Sequence, residues 1–255
     1  MYIATSNDPS SGSENYAEYC ENEYWAGEVW EDETVVTTEI VEDMIAKGAK
    51  KFALHGFPIG LATQMDLRIL TAKSVIESHA SEGVEIVAEG LDYDKAGAAK
   101  NIVDQHPEVE AIFSSVETLS TVYQPLNDAG LADRVLLNCF DPAEGGLEAF
   151  EDGSLNYIIT GACADSMIAF ILLYNAMTGN KMIQDDGSAA SINMKYLVAT
   201  TAEEYQTILD HCSNANPPYS YEELSAYIGS DADFNALKAF AEKFSLEDIR
   251  DRQGK

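Results

Sequence analysis

Basic residues are scarce in this chain. Only 15 of its 255 residues are Lys or Arg, against 44 Asp or Glu, and the formal net charge at pH 7 is −29. A surface with this charge repels nucleic-acid phosphates and anionic lipid head groups. We therefore expect no nucleic-acid partner and no electrostatic attraction to a membrane.

Long apolar runs and clustered metal ligands are also missing. No apolar run approaches the ~20 residues that cross a bilayer. Residues Met1–Ser6 have neither the basic region nor the long apolar region of a signal peptide. The four cysteines have no CxxC spacing and the four histidines no HExxH spacing, which argues against a zinc site or a redox motif. We expect neither a metal nor a cofactor.

The centre of the chain alternates short apolar strands with helical patterns. Residues Glu33–Lys47 carry apolar side chains at helical spacing and end at Gly48, and a helix over Thr118–Ala129 contains Pro125. Such alternation predicts a parallel sheet with helices on both faces. The five strands are predicted at Lys51–His55, Val84–Ala88, Glu110–Ser114, Val135–Cys139 and Asn156–Thr160.

The pattern changes after Gly179. Residues Ile192–Ala199 alternate apolar and polar side chains, which predicts one half-exposed strand, and Thr201–Cys212 reads as a helix. Residues Tyr221–Ile249 predict one or two amphipathic helices. Their apolar face must pack either on the body of this chain or on a partner; it carries Phe234, Leu237, Phe240 and Phe244.

Asp141 follows the predicted strand that ends at Cys139. In open α/β sheets, ligands bind in the crevice outside the carboxyl ends of the strands. A lone carboxylate at that place is a candidate ligand contact. The alternative is that Asp141 only caps the next helix, which is a common use of Asp.

Four segments together resemble type I periplasmic sugar-binding proteins. Glu89–Ala96 resembles a strand–loop–helix in which an aromatic residue followed by Asp opens the helix, and His106–Phe113 resembles the HP-x-x-x-AIF strand. Asn138–Leu155 resembles the GFD…LEAI-x-DG-x-L segment. Tyr19–Gly27 resembles the segment that leads into the second lobe. Their order and spacing over about residues 19–200 make the match specific.

The resemblance implies an α/β fold of the periplasmic-binding-protein type I class. We expect one near-complete three-layer lobe with a parallel sheet of strand order 2-1-3-4-5, plus remnants of the other lobe. Full members have two similar lobes, whereas most of the first lobe has no counterpart here. The implied division is a first-lobe remnant over 1–20, the ligand-binding second lobe over 21–162, a return segment over 163–200 and a helical extension over 201–255.

The resemblance also implies a sugar site. By position, Arg68 matches an arginine that reaches sugar hydroxyls, and Tyr93 matches an aromatic residue that stacks on the sugar ring. Asp141 matches an aspartate that accepts hydrogen bonds from two sugar hydroxyls. Phe57 and Glu117 lie in loops at the same predicted rim. An aromatic platform with polar groups suits a carbohydrate, which offers C–H faces and hydroxyls. Alternatively, Arg68 pairs with acidic neighbours and Tyr93 is an edge residue of the core.

Two positions depart from the family pattern. The Asn-Asp pair that follows the AIF strand is Val116-Glu117 here, and the Gln at the exit from the second lobe is Gly161. The side chain of Val116 cannot form a hydrogen bond. These changes favour a smaller or less hydroxylated ligand, or none.

By resemblance, the chain is the non-catalytic solute-binding component of an ABC-type sugar importer. A membrane permease is then its partner and its location is extracytoplasmic, either periplasmic or as a cell-surface lipoprotein. One alternative is a ligand-sensing domain of a signalling or transcription-regulatory protein. Another is an enzyme that uses Glu117 and Asp141 as a carboxylate pair, although no Ser/His, Cys/His or metal set accompanies them. The last is a fragment without a ligand.

The near-absence of the first lobe leads to a further expectation. The chain resembles a gene fragment, a product of an internal start, or half of a split protein. With one wall of the site missing, it should bind sugar weakly or not at all. The apolar rim near Phe57 and Tyr93 should favour self-association or pairing with a missing first-lobe partner.

Overall fold

The computed structural model describes residues 1–7, 10, 13–212 and 216–252, which fold into two units. Unit 1 is formed by Met1–Asp32, Gly161–Leu197 and Thr207–Lys255. Unit 2 is formed by Glu33–Thr160 and Val198–Gln206. Among the helices of the described residues, none combines the length and the apolar character needed to cross a bilayer.

Strands and helices alternate along most of the chain. The strands are β1 (Ile3–Ser6), β2 (Trp25–Glu31), β3 (Lys51–Gly56), β4 (Glu85–Leu91), β5 (Ala111–Ser114), β6 (Leu136–Phe140), β7 (Tyr157–Thr160), β8 (Ser191–Met194) and β9 (Leu197–Ala199). The helices are α1 (Tyr16–Glu21), α2 (Glu33–Ala46), α3 (Thr63–Ser78), α4 (Lys95–Gln105), α5 (Tyr123–Asp128), α6 (Gly146–Glu151), α7 (Ala162–Met177), α8 (Ala202–His211), α9 (Tyr221–Ser225), α10 (Phe234–Ala241) and α11 (Leu246–Arg252).

Unit 2 is built on a six-stranded sheet with the order β4-β3-β5-β6-β7-β9. Strand β3 pairs in parallel with β4 and β5, β5 with β6, and β6 with β7. The predicted parallel sheet and its 2-1-3-4-5 order are therefore confirmed. The central strands are fully buried, as expected for strands covered on both faces.

Helix α5 is shorter than the predicted helix because side-chain hydrogen bonds hold the preceding residues in a turn. The Thr118 hydroxyl donates to the carbonyl of Asn138 at 2.9 Å, and the Glu117 carboxylate accepts the amide of Ser120 at 2.9 Å. Such bonds compete with helical hydrogen bonds. Pro125 then lies in the first turn of α5, where its missing N–H costs no helical bond.

Residues Ile192–Ala199 do not form the single predicted strand. Strand β8 joins the sheet of unit 1, and β9 joins the sheet of unit 2. The alternating pattern identified extended backbone correctly. It could not show that Lys195 and Tyr196 interrupt the strand, because both short strands have the same period of two.

Unit 1 contains a three-stranded parallel sheet with the order β1-β2-β8. Strand β2 is its middle strand, whereas the predicted division grouped residues 21–162 with the second lobe. Segment Tyr19–Gly27 accordingly covers the end of α1 and the beginning of β2, and unit 2 begins at Glu33. The sequence concealed β2 because its Glu28 is a fully buried carboxylate, which accepts the Ser191 hydroxyl at 2.7 Å.

The C-terminal segment forms three short helices instead of the one or two predicted. Ser220 is the N-cap of α9 and Asp233 is the N-cap of α10. These caps start new helices where the hydrophobic pattern predicted a continuous helix. The apolar face packs within unit 1, where the Tyr219 ring lies 4.9 Å from that of Phe240. The Asn175 side chain on α7 adds a polar anchor by donating to the Tyr227 carbonyl at 2.8 Å. Of the two alternatives for this face, packing on the chain itself is observed.

His55 ties three elements of unit 2 together. Its Nε2 lies 3.0 Å from the carbonyl of Lys95, and its Nδ1 lies 2.9 Å from the Ser114 hydroxyl. Because a carbonyl only accepts, Nε2 carries the hydrogen, and Nδ1 of the neutral ring accepts from Ser114. Burial of the ring lowers the pKa of His55.

The lowered pKa of His55 predicts a loss of stability on acidification. As the pH falls below the ordinary histidine pKa of ~6.5, the unfolded chain takes up a proton that folded His55 resists. The contribution of His55 to the free energy of unfolding should therefore fall as the pH decreases from about 7.5 to about 5.5. In urea titrations, His55→Gln should lose less stability over this pH range than the unaltered protein, since Gln cannot titrate. Equal pH slopes for the two proteins would contradict the assignment.

Candidate functional site

The loops that follow β3, β5 and β6 meet at one edge of the unit 2 sheet, here called the carboxyl edge. The strand order reverses between β3 and β5, so a crevice is expected there. The loops that follow β3 and β5 approach each other closely. A Cβ atom on Gly56 would lie 2.2 Å from the Ser115 Oγ, so any larger residue at this position would require the Ser115 side chain to move. The Ser115 amide also donates to the His55 carbonyl at 3.0 Å.

A buried ion pair lies at the carboxyl edge. Arg68, from α3, is 7% exposed, and Glu33, in the first turn of α2, is 2% exposed. Arg68 Nε and Nη2 donate to the two Glu33 carboxylate oxygens at 2.6 and 2.9 Å. Arg68 Nη1 donates to the Ser115 carbonyl at 2.9 Å. The guanidinium carbon also lies 3.6 Å from the centre of the Phe140 ring.

This geometry decides what Arg68 contacts in the described structure. Its guanidinium donates three hydrogen bonds to Glu33 and Ser115. This agrees with the sequence-based alternative in which Arg68 pairs with an acidic neighbour. Sequence reasoning missed Glu33 as the partner. Its only signal was an acidic residue in the first turn of a helix, a position with many acidic residues in this chain.

Phe57 and Tyr93 form an aromatic rim at the ends of β3 and β4. Their ring centroids are 6.2 Å apart and their planes are inclined by 58°. The Lys95 ammonium lies 4.5 Å over the Phe57 ring, which is a cation–π distance. Tyr93 is 69% exposed and is therefore not a core residue. The rim presents an apolar aromatic surface next to a positive charge.

Glu117 and Asp141 provide carboxylates at the ends of β5 and β6. Glu117 is half-buried, and both its oxygens accept from Ser120, one from the amide and one from the hydroxyl. Asp141 is exposed and has φ +67°, a left-handed conformation that few residues other than glycine adopt. Its Oδ1 accepts the Thr160 hydroxyl at 3.3 Å, and its amide donates to the Ile159 carbonyl at 2.8 Å.

The amide side chain of Asn138 keeps the ends of β5 and β6 in register. Backbone pairing of these strands covers Ala111 with Leu136 and Ile112 with Leu137. Beyond it, the Asn138 side chain donates to the Ser114 carbonyl and accepts its amide, both at 2.8 Å. These bonds replace backbone bonds where the strands separate, which fixes the loops that carry Glu117 and Asp141.

The five predicted residues thus lie at the same edge in two groups. Phe57 and Tyr93 contact each other near β3 and β4. Arg68 contacts Phe140, the residue before Asp141, and Cys139 Sγ lies 4.0 Å from a Glu117 oxygen. Ser115 lies between the two groups, because its carbonyl accepts a hydrogen bond from Arg68 and its hydroxyl lies next to Gly56. Among the described residues, His, Cys, Asp and Glu side chains form no group suited to a metal ion.

Comparisons with known proteins identify the fold. No family model matches the sequence, and no curated protein matches it significantly. A solute-binding protein of an ABC transporter from Agrobacterium vitis, solved with alpha-D-tagatopyranose, is 14% identical with a TM-score of 0.60 over 80% of this chain and 68% of that chain. One from Burkholderia graminis, solved with D-arabinose, is 16% identical with a TM-score of 0.62 over 78% and 67%.

A third solved structure has a different description. It is a putative LacI transcriptional regulator from Bacteroides fragilis, 11% identical with a TM-score of 0.57 over 71% of this chain and 63% of that chain. These likenesses confirm the α/β fold of type I periplasmic sugar-binding proteins. They also show that the chain spans about two thirds of the length of these structures.

The buried pair of Arg68 and Glu33 makes a stability prediction. Substituting Arg68→Met should lower the free energy of unfolding by about 3–5 kcal/mol, because it leaves the Glu33 charge buried without this partner. The double variant Arg68→Met/Glu33→Leu should recover part of that loss. The measurement is urea unfolding followed by circular dichroism.

The matched control is Lys73→Met, which removes a pair with Glu89 whose side chains are 40% and 41% exposed. Because exposed pairs contribute little, this variant should unfold almost like the unaltered protein. An Arg68→Met variant as stable as Lys73→Met would show that the buried pair is not structural.

Proposed function

We propose that this chain recognises a small carbohydrate at the carboxyl edge of unit 2, as the non-catalytic solute-binding component of an ABC-type sugar importer. The proposal rests on an exposed aromatic rim and two carboxylates, which all follow strand ends at the same edge of this fold. Solved structures with the same fold include one with alpha-D-tagatopyranose and one with D-arabinose.

The rim and the carboxylates have complementary tasks. Tyr93, supported by Phe57, offers an aromatic face for the C–H side of a sugar ring. Asp141 and Glu117 accept hydrogen bonds from sugar hydroxyls. Arg68 holds the Ser115 loop in place and fixes the approach of β5 to β6, so we assign it a positioning role in sugar binding. The buried Val116 offers no hydrogen bond from its side chain, which favours a ligand with few hydroxyls.

The same edge supports binding better than catalysis. His55 and Ser114 lie 2.9 Å apart, as in a Ser–His pair, but both are fully buried and His55 also bonds Lys95. Cys139 is fully buried, and burial raises the pKa of its thiol to about 11. A protonated, inaccessible thiol is a poor nucleophile.

The importer role implies a permease partner and an extracytoplasmic location, and both are part of the proposal. The alternative is a ligand-sensing domain of a transcription regulator, which the Bacteroides fragilis structure favours. The net charge of −29 argues against DNA contact by this chain itself. Sugar binding is common to both roles, and dependence of sugar uptake on the gene separates them.

Sugar binding by the 255-residue chain is the first test. We expect millimolar affinity for a pentose or hexose, because a single edge covers about half of the ligand and retains about half of the ~8 kcal/mol of micromolar binding. Saturation-transfer-difference NMR against a panel of pentoses and hexoses detects this range. Absence of transfer from every sugar would overturn the proposed function, and micromolar affinity would overturn the single-edge explanation.

Two substitutions test the location of the site. Tyr93→Ala should weaken sugar binding about tenfold or more by removing the stacking surface. Asp141→Asn should weaken it similarly, because it removes the charge while keeping a residue type that tolerates the left-handed conformation. Affinities follow from the same NMR titrations.

The controls are an exposed tyrosine and an exposed aspartate in unit 1. Tyr221 on α9 is 78% exposed, and Asp251 lies exposed on α11. Tyr221→Ala and Asp251→Asn should leave the affinity unchanged. If all four variants behave alike, the site lies elsewhere.

A further inference from the structure

Two cysteines that are distant in sequence meet in unit 1. Cys163 Sγ and Cys212 Sγ are 2.9 Å apart, although 49 positions separate the residues. Cys163 lies in the first turn of α7, and Cys212 directly follows α8. The sequence pattern gave no sign of this pair, because neither cysteine has the short spacing of a redox motif.

The separation of the two sulfurs is close to that of a covalent bond. A disulfide has an S–S length of about 2.05 Å, so the sulfurs need to approach each other by only ~0.9 Å. The Cys163 thiol also lies 3.5 Å from the Cys212 carbonyl. The two side chains therefore already point at each other.

The two thiols differ in chemical character. The contact between the two sulfurs lowers the pKa of Cys163, and the same contact together with burial raises the pKa of Cys212. The beginning of a long helix also favours a thiolate at Cys163. Cys163 is thus the thiol that reacts first.

Cys163 is also the more accessible of the two. It lines a cavity of about 580 Å³ together with Met167, Phe170, Pro217 and Leu224. Cys212 is buried behind it. A small disulfide oxidant that enters this cavity meets Cys163 before Cys212.

We propose that Cys163 and Cys212 form a disulfide that fastens the end of α8 to the start of α7. The Cys163 thiolate attacks one sulfur of a disulfide oxidant, forms a mixed disulfide and releases one thiol. Cys212 then loses its proton to solvent and attacks the Cys163 sulfur, which releases the second thiol. The two cysteines lose two electrons and two protons, and the oxidant disulfide is reduced to two thiols.

The disulfide would add a covalent link to hydrogen bonds that already connect α7 with the C-terminal segment. Asn175, further along α7, already holds the C-terminal segment by bonds to the Tyr227 carbonyl and the Gly229 amide, at 2.8 and 2.9 Å. A link between Cys163 and Cys212 closes a loop of about 50 residues and restricts the unfolded chain. The end of α8 is then held at the first turn of α7.

The experiment uses the full chain and oxidised glutathione as the oxidant. After oxidation, the protein is alkylated in denaturant, digested without reductant and analysed by mass spectrometry. We expect one linked peptide pair containing Cys163 and Cys212, with Cys20 and Cys139 alkylated. Cys20→Ser is the matched control and should give the same linked pair, whereas Cys163→Ser should give none.

Thermal unfolding gives an independent readout. The oxidised chain should unfold about 5–15 °C above the reduced chain, and this difference should vanish in Cys163→Ser. The comparison of oxidised and reduced unaltered protein needs no substitution, so a poorly folding variant does not weaken it. The proposal is overturned if Cys163 and Cys212 are both alkylated after oxidation, or if the linked peptides contain Cys20 or Cys139 instead.

Discussion

The buried ion pair between Arg68 and Glu33 is the interaction on which the carboxyl edge of unit 2 depends. One guanidinium joins the first turn of α2, the body of α3, the loop after β5 and the aromatic ring at the end of β6. Taking such charges out of water is costly, and the cost is offset only when the geometry satisfies them. One bidentate pair of hydrogen bonds, a carbonyl acceptor and a stacked ring meet that condition here.

The polar groups that follow the strand ends are satisfied by side chains instead of by further strand pairing. Asn138 exchanges two hydrogen bonds with Ser114, and His55 joins Ser114 to the start of α4. Buried polar groups that lack partners destabilise a fold, so these bonds allow the strands to separate without that cost. The same bonds hold the loops that follow the strands in a defined position.

Unit 1 uses a different arrangement to hold its elements. Its middle strand β2 carries the buried carboxylate of Glu28, and the Tyr16 and Ser191 hydroxyls donate to it at 3.1 and 2.7 Å. The C-terminal helices add an aromatic cluster around Tyr219, over which the Arg252 guanidinium lies at 4.7 Å from the ring centre. Polar groups therefore determine which segments meet, and aromatic packing supplies the buried area.

Hydrophobic periodicity was enough to predict most of unit 2. Five strands, their parallel direction and helices such as α3 follow from patterns that extend over one element at a time, whereas the strand order was implied by the family resemblance. The family resemblance placed Phe57, Tyr93 and Asp141 near strand ends, and the structure brings them to one edge. Local patterns could not reveal β2, because its buried Glu28 is stabilised by hydroxyls from residues distant in sequence.

Only the tertiary structure decided the partners of the polar side chains. Glu33 meets Arg68 across 35 positions and Cys163 meets Cys212 across 49, and no periodicity connects such pairs. A helix pattern shows which face is apolar, but not which charge lies opposite on another helix. The sequence by itself therefore determined most of the elements of unit 2, because burial acts on each residue separately. A hydrogen bond or an ion pair requires two groups to lie next to each other. For residues that are distant in sequence, only the folded structure shows which groups are neighbours.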